Sequence, residues 1–259
     1  MTSMYETIKS SIEQERPVVA ATIINGPDHV GEHLLVFGSD LVEGGLDLPF
    51  QSSVIADARA QLDNGHPATR EYTDGEKTYE VFLDPYVTPS ELYIFGGVHV
   101  GVPLCVFAKQ MGFRVHVIDA RERFGSADRF PLADEIATAY ADEYLANVEL
   151  GSSSYVVVLS HDPKLDDPAL LSALKSDARY IGAIGSRMTN EKRRMRLKAA
   201  GLTDEQLDRL HAPIGLNIGA RNPEEIALSI IAEMIAAKNN MSRASLPRAK
   251  QPIEVSAGS

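Results

Sequence analysis

Residues 91–119, ELYIFGGVHVGVPLCVFAKQMGFRVHVID, constrain this chain more than any other stretch. A short apolar run at 92–95 is broken by Gly96-Gly97-Val98-His99-Val100-Gly101. Apolar residues then fill most of 102–111, dense enough for a helix buried on most sides, until Gly112 ends it. A second apolar run at 115–118 closes on Asp119. Strand, glycine turn, helix, strand and terminal acid is the order of a nucleotide-binding βαβ unit. The glycine turn lets a phosphate reach the helix N-terminus, and the acid can bind ribose hydroxyls. The spacing therefore predicts an α/β chain with a Rossmann-like parallel sheet.

Within the turn, Gly96 and Gly101 occupy the first and third places of the G-x-G-x-x-G pattern, and Val98 holds the middle one. The middle glycine normally admits the pyrophosphate, so the Val98 side chain crowds that approach unless Gly97 reshapes the turn. Asp119 lies 18 residues beyond Gly101, near the offset of a ribose-binding acid. An acid there disfavours a 2′-phosphate and points to NAD over NADP, while Arg121 and Arg123 close behind can reverse that preference.

A net charge of −11 argues against nucleic acid or an anionic membrane as a general partner. No apolar run is long enough to span a bilayer, and MTSMYETIKS lacks a signal-peptide core, so a cytoplasmic location is expected. One cysteine, Cys105, permits neither an internal disulfide nor a thiolate metal cluster, and its place in the apolar helix reads as a core thiol. No metal site is expected.

Upstream, Tyr5, Ile8 and Ile12 have helical spacing. Residues 18–24 and 33–37 read as strands, Gly44-Gly45 as a turn, and Val54, Ala58 and Leu62 as a helix ending before Asn64-Gly65. Residues 78–83 alternate as a strand, and Asp84-Pro85 and Thr88-Pro89 mark a boundary. Residues 1–88 are thus expected to form a smaller N-terminal α+β domain, 89–240 the Rossmann-like domain, and 241–259 a disordered tail. Downstream, 135–139, 155–160 and 180–184 read as strands, and Asp167-Pro168 as a helix start. Asn222-Pro223-Glu224-Glu225 is a stronger start, with a capping side chain, proline at the first position and acids at the positive dipole end.

The carboxyl ends of parallel strands are where ligands bind in open α/β sheets, which singles out several side chains. His99, where the turn enters the helix, can face a ligand phosphate or the reacting group, or be hydrogen-bonded within the turn. His161 follows Ser160 at a strand end and is the leading acid/base candidate, since an ordinary imidazole pKa of about 6.5 lets it exchange protons near neutrality. The alternative is that Asp162-Pro163 simply caps the next turn. In Gly185-Ser186-Arg187, Ser186 can cap a helix or donate to phosphate, and Arg187 can grip an anion bidentately. The run Lys192, Arg193, Arg194, Arg196 and Lys198 reads mostly as a solvated helix face. His211 and Asn217 lie in a glycine-punctuated loop open to backbone–ligand contact.

These segments together resemble the xanthine dehydrogenase accessory protein family of the XdhC/CoxI type, in its C-terminal Rossmann domain. IFGGVHVG, VIDARERF with DRFPLADE, YVVVLSHDPKLD, YIGAIGSRMTNEKRRMRL and HAPIGLNIGARNPEEIALSIIAEMIA follow in the family's order across more than half the chain. EVFLDPY resembles its connecting strand. The resemblance implies binding of molybdenum cofactor and help in its sulfuration and insertion into a molybdenum hydroxylase. The family's N-terminal domain carries a glycine-rich segment with a cysteine that is associated with handling the cofactor. The corresponding residues 41–54, LVEGGLDLPFQSSV, have none, a departure that bears on the accessory role rather than on the C-terminal half.

Three expectations follow. The first is an accessory protein whose small phosphorylated ligand, a pterin cofactor, sits on Gly96, Gly97, Val98, His99, Val100, Gly101, Asp119, Ser160, Gly185, Ser186 and Arg187. The second is an NAD(P)-dependent oxidoreductase with His161 as acid/base and His99 and His211 beside it, the cofactor being undecided between NAD(P) and the pterin. The third is a non-catalytic partner protein whose site has decayed. A homodimer fits any of them.

Overall fold

The computed structural model describes residues 3–14, 16–38, 41–239 and 241. The chain divides into two compact units between Thr88 and Pro89. The tail expected beyond 241 lies outside the described residues.

The first unit runs α1 (Met4–Glu13), β1 (Val18–Asn25), β2 (His33–Phe37), β3 (Val42–Gly44), α2 (Gln51–Asn64), β4 (Ala68–Asp74) and β5 (Lys77–Tyr86). Its strands form an antiparallel sheet in the order β3-β2-β1-β5-β4. Alternation in β1 sets the two faces. Val19, Ala21 and Ile23 pack with Val54 and Ala58 of α2, while Val18 and Ala20 pack with Ile8 of α1. A reciprocal Ser3–Glu6 capping box starts α1, and Gly65, at φ +65°, ends α2. Two strands were not expected. β4 is an edge strand with only Tyr72 buried, and β3 is three residues running into the glycine pair. Neither shows the apolar alternation that marks a half-buried strand.

The second unit runs β6 (Glu91–Phe95), α3 (Gly101–Gln110), β7 (Arg114–Ile118), β8 (Glu135–Ala137), α4 (Ala141–Leu145), β9 (Ser154–Val158), α5 (Pro163–Ala173), β10 (Tyr180–Ala183), α6 (Arg187–Ala199), α7 (Asp204–Asp208), β11 (Leu210–His211) and α8 (Pro223–Lys238). The sheet order is β11-β10-β9-β6-β7-β8, every pair parallel. This is the doubly wound order, and its direction reverses between β6 and β9, where the fold opens a crevice at the carboxyl edge. Leu92, Ile94, Tyr155 and Val157 face α3 and α8, and Tyr93, Phe95, Val156 and Val158 face α4, α5 and α6. Strands buried on both sides explain the near-continuous apolar runs.

One helix start differs from expectation. Asp162 caps α5 by accepting from the Lys164 amide at 3.0 Å, with Pro163 in the first turn, so Pro168 lies inside the helix. Both Asp-Pro pairs carry the same starting signal; the strand β9 ends early enough for the first to be used.

Candidate functional site

The glycine turn after β6 spends its freedom on the chain itself. Gly96 sits at φ +104°, and a Cβ there would lie 2.9 Å from the Ser160 nitrogen at the end of β9. A Cβ on Gly97 would lie 2.2 Å from the Phe124 carbonyl oxygen, because the loop after β7 folds back over the turn. Arg129 fastens that loop, donating from Nη1 to the carbonyls of Gly97 at 2.6 Å and Phe124 at 3.1 Å. Val98 is half-buried against the α3 side of the core, Val100 is buried, and Gly101 opens α3 with Phe130 against it. His99 is exposed at the head of the turn.

Asp119 occupies the expected strand end, but its oxygens are already engaged. Oδ2 accepts from the Gly97 amide at 2.9 Å and Arg121 Nη2 at 2.8 Å; Oδ1 accepts from the Arg121 amide and Nε, both at 2.9 Å. Burial works to raise the pKa of this carboxyl, and the Arg121 and backbone bonds outweigh it, so it is held below the ordinary range. The expected ribose ligand is therefore a staple between β7 and the glycine turn. A ribose would have to displace the Arg121 guanidinium, which also stacks over the Phe124 ring at 4.1 Å.

The chemistry at this edge concentrates instead between α5 and α6. Ser160, buried at the end of β9, donates from Oγ to Asp166 Oδ1 at 2.6 Å and accepts from the Asp162 amide at 3.1 Å. Asp166 Oδ2 accepts from Arg193 Nη2 at 2.8 Å. Arg193 is 1% exposed; its Nη1 donates to the Ile184 carbonyl and to Asn190 Oδ1, and its buried Nε has no partner among the described residues. Burial pushes the Asp166 carboxyl up to about 6, against the pull of Ser160 and Arg193. Beside this network a cavity of about 170 Å³ is lined by His161, Asp166, Thr189, Lys192, Arg193 and Arg196, among others. Partial burial and the Arg193 charge hold His161 below the ordinary imidazole range. It is thus mostly neutral near pH 7, able to accept a proton or a hydrogen bond. Arg196 is clamped by Asp167 at 2.6 and 2.9 Å, whereas Lys192 forms no ion pair among the described residues.

The other expected residues fall around this cavity or away from it. Gly185, at φ +133°, turns the chain out of β10, and Ser186 caps α6 by accepting from the Thr189 amide at 3.1 Å. Arg187 is exposed at the first position of α6 and is not part of the cavity wall. His211 lies on the opposite face of the sheet. It is paired with Gly182, sets its ring tilted against Tyr180 with centroids 4.5 Å apart, and places Nδ1 3.1 Å from Glu233 Oε1 in α8. Glu233 Oε2 accepts from Tyr180 Oη and the Gly215 amide, which makes this corner a brace for α8. Asn217 is half-buried in the loop between β11 and α8. Of His99, His161, Arg187 and His211, the cavity is lined by His161 alone, so His99 and His211 do not stand beside His161 as expected. Alternation of strand faces separates His211 from the α5–α6 side.

Arg193 and Asp166 were not expected. The signal for Arg193 was present: Asn190, Arg193 and Leu197 recur at spacings of three and four and form the buried face of α6. A guanidinium on that stripe reads as surface until its acid is known.

Comparison with known proteins places the fold in context. The family described as "XdhC Rossmann domain" matches residues 92–234. A Bacillus subtilis protein named as a probable xanthine dehydrogenase subunit is 30% identical over 64% of this chain and 48% of that protein. The "Molybdenum cofactor insertion chaperone PaoD" of Escherichia coli is 30% identical over 36% of this chain and 29% of its own length. The chain thus spans about half or less of these relatives. A crystal structure titled as a xanthine dehydrogenase from Bacillus halodurans has the same fold, with a TM-score of 0.54 at 22% identity, covering 94% of this chain and 98% of that one. The matched span begins in β6 and ends within α8, taking in the whole parallel sheet, and this chain accordingly belongs to the XdhC family.

Proposed function

We propose that this chain is an accessory protein for a molybdenum hydroxylase, which holds molybdenum cofactor and hands it on for insertion. The observation that carries the reading is the family match across the whole parallel unit, together with a relative named as a molybdenum cofactor insertion chaperone. The cofactor is a phosphate-bearing pterin, and the residues at the carboxyl edge suit its anionic end. In a chain of net charge −11, the α5–α6 cavity gathers Lys192, Arg193 and Arg196 beside a neutral His161. Lys192 and Thr189 would bind the anionic end, and His161 would orient it. Once inserted, the cofactor supplies the oxygen- and electron-transfer chemistry of the hydroxylase.

The role is delivery rather than sulfur transfer. Residues 41–54 carry no thiol, and Cys105 is buried in α3 with burial pushing it up to about 11, far from a reactive thiolate. The oxidoreductase alternative loses its support at the glycine turn, where Val98 remains in the middle place and both Asp119 oxygens are committed to Arg121 and Gly97.

The test is co-expression with a molybdenum hydroxylase encoded in the same host. The hydroxylase should be purified with a full molybdenum complement when the chain is present and a depleted one when it is deleted. Equal molybdenum content in both strains would exclude the accessory role.

A further inference from the structure

We infer that the outward face of α6 is a docking surface for the protein that receives the cofactor, a partner presenting an acidic face with an apolar hollow, seated on Met188, Lys192 and Met195. The inference rests on the accessory reading and adds to it the place where the recipient binds.

Helix α6 has two faces. Asn190, Arg193 and Leu197 form the buried one. Met188, Lys192 and Met195, at spacings of four and three, lie along the opposite side, and both methionines are 64% exposed. Single exposed apolar residues are ordinary on a protein surface. Two thioethers seven residues apart, on a helix that otherwise carries six cations and the single acid Glu191, are a pattern. Methionine adapts its shape to what it meets and is enriched where proteins join.

Charge narrows the partner. Acids of α5 and α7 engage Arg193, Arg194, Arg196 and Lys198. Lys192, between the two methionines, has no ion pair among the described residues, so a carboxylate on a partner is the group that matches it. In a chain of net charge −11 this row is opposite in sign to the molecule as a whole, so an acidic protein is drawn to it and repelled elsewhere. A second copy does not meet these terms. Lys192 stands at the centre of the row, and a twofold contact centred there would set Lys192 against Lys192. Position then selects the recipient among acidic proteins. Met188 and Lys192 also line the cavity between α5 and α6, so a protein seated on the row lies against the space from which the cofactor is handed on.

The experiment uses the full chain and the molybdenum hydroxylase of the same host, purified without its molybdenum cofactor, and follows their association by interferometry. Binding should be saturable and should weaken at least about threefold between roughly 50 and 300 mM salt. Met195 is the informative position, because it is exposed and is not part of the cavity wall. Met195→Glu sets acid against acid and should weaken binding about tenfold, whereas Met195→Leu should keep most of it. Tyr5→Glu combined with Ile12→Glu changes an exposed pair of the same spacing on α1 and should leave affinity unchanged. In cells, Met195→Glu should lower the molybdenum content of the hydroxylase toward that of the deletion strain, while the pterin carried by the chain itself, read by native mass spectrometry, stays the same. No binding by the wild-type chain, wild-type affinity in Met195→Glu, indifference to salt, or an equal loss in the α1 variant would each overturn the surface. So would self-association of the chain that Met195→Glu abolishes, since it would assign the face to a second copy. Equal molybdenum content with and without the chain is the separate result that removes the accessory reading itself.

Discussion

The two crevices at the carboxyl edge of the parallel sheet are built on opposite principles. At the β6 turn the polar groups of Gly97 and Asp119 are satisfied from within the chain: the Gly97 amide on Asp119, Asp119 on Arg121, and the Gly97 carbonyl on Arg129. Between α5 and α6 the buried guanidinium of Arg193 is held by Asp166, Ile184 and Asn190, and Lys192, without an ion pair among the described residues, lines a cavity next to it. The first arrangement converts glycine freedom into close backbone packing. The second buries a compensated ion pair, Arg193 with Asp166, beside a cavity that Lys192 also lines.

The contrast can be broken most forcefully at the buried pair. Asp166→Ala leaves Arg193 charged and uncompensated and should cost about 3–5 kcal/mol of unfolding free energy in urea titration. Asp166→Leu combined with Arg193→Met should recover most of that loss, because the desolvation cost disappears with both charges. A loss below about 1 kcal/mol in the single variant would mean that the pair is not buried as described.

A smaller effect is expected at the turn. Gly97→Ala drives a methyl into the Phe124 carbonyl, a backbone atom that cannot swing aside, and should cost about 1–3 kcal/mol. Gly151→Ala, with no atom within 4 Å of the added methyl, is the matched control and should be neutral. Equal behaviour of the two variants would show that the loop over the turn does not press on it.

The smallest effect is in pH dependence, where the two acids should differ in sign. Asp119 has its folded pKa depressed, so its contribution is present above the unfolded value of 3.8 and fades as pH falls through the folded value. Asp166 is raised from 3.8 to about 6, so its contribution is full below 3.8 and fades as pH rises through about 6. Urea midpoints followed against pH should therefore show the wild-type advantage over Asp119→Asn, about 1 kcal/mol at neutrality, shrinking below pH 4. The advantage over Asp166→Asn should shrink between roughly pH 4 and 6. Slopes of the same sign for the two variants would remove the electrostatic distinction between the crevices.

Most of the parallel unit was legible because its signals are local. Apolar runs at 92–95, 115–118 and 155–160 are strands buried on both faces, and Asn222-Pro223 with Glu225 makes a complete capping box for α8. The edge strands β3 and β4 were hidden because a strand solvated on most sides needs no apolar alternation. The site was legible only in outline. His161 and Gly185-Ser186 stand at strand ends, where position alone recommends them. Asp119 stood at the right offset, yet its partners Arg121 and Gly97 depend on how the loop after β7 folds back. Arg193 was hidden for a related reason. Its burial is decided by Asp166, 27 residues away, and by Ser160 behind it. Pairings across a crossover leave no periodic trace in a single sequence.

Native mass spectrometry of the chain, purified from a host replete in molybdenum cofactor, tests the account most directly. One molybdopterin-sized adduct per chain is predicted, weakened in Lys192→Met and retained in Asp119→Asn. A chain that emerges bare, or that carries a nicotinamide dinucleotide lost on replacing Asp119, would contradict it.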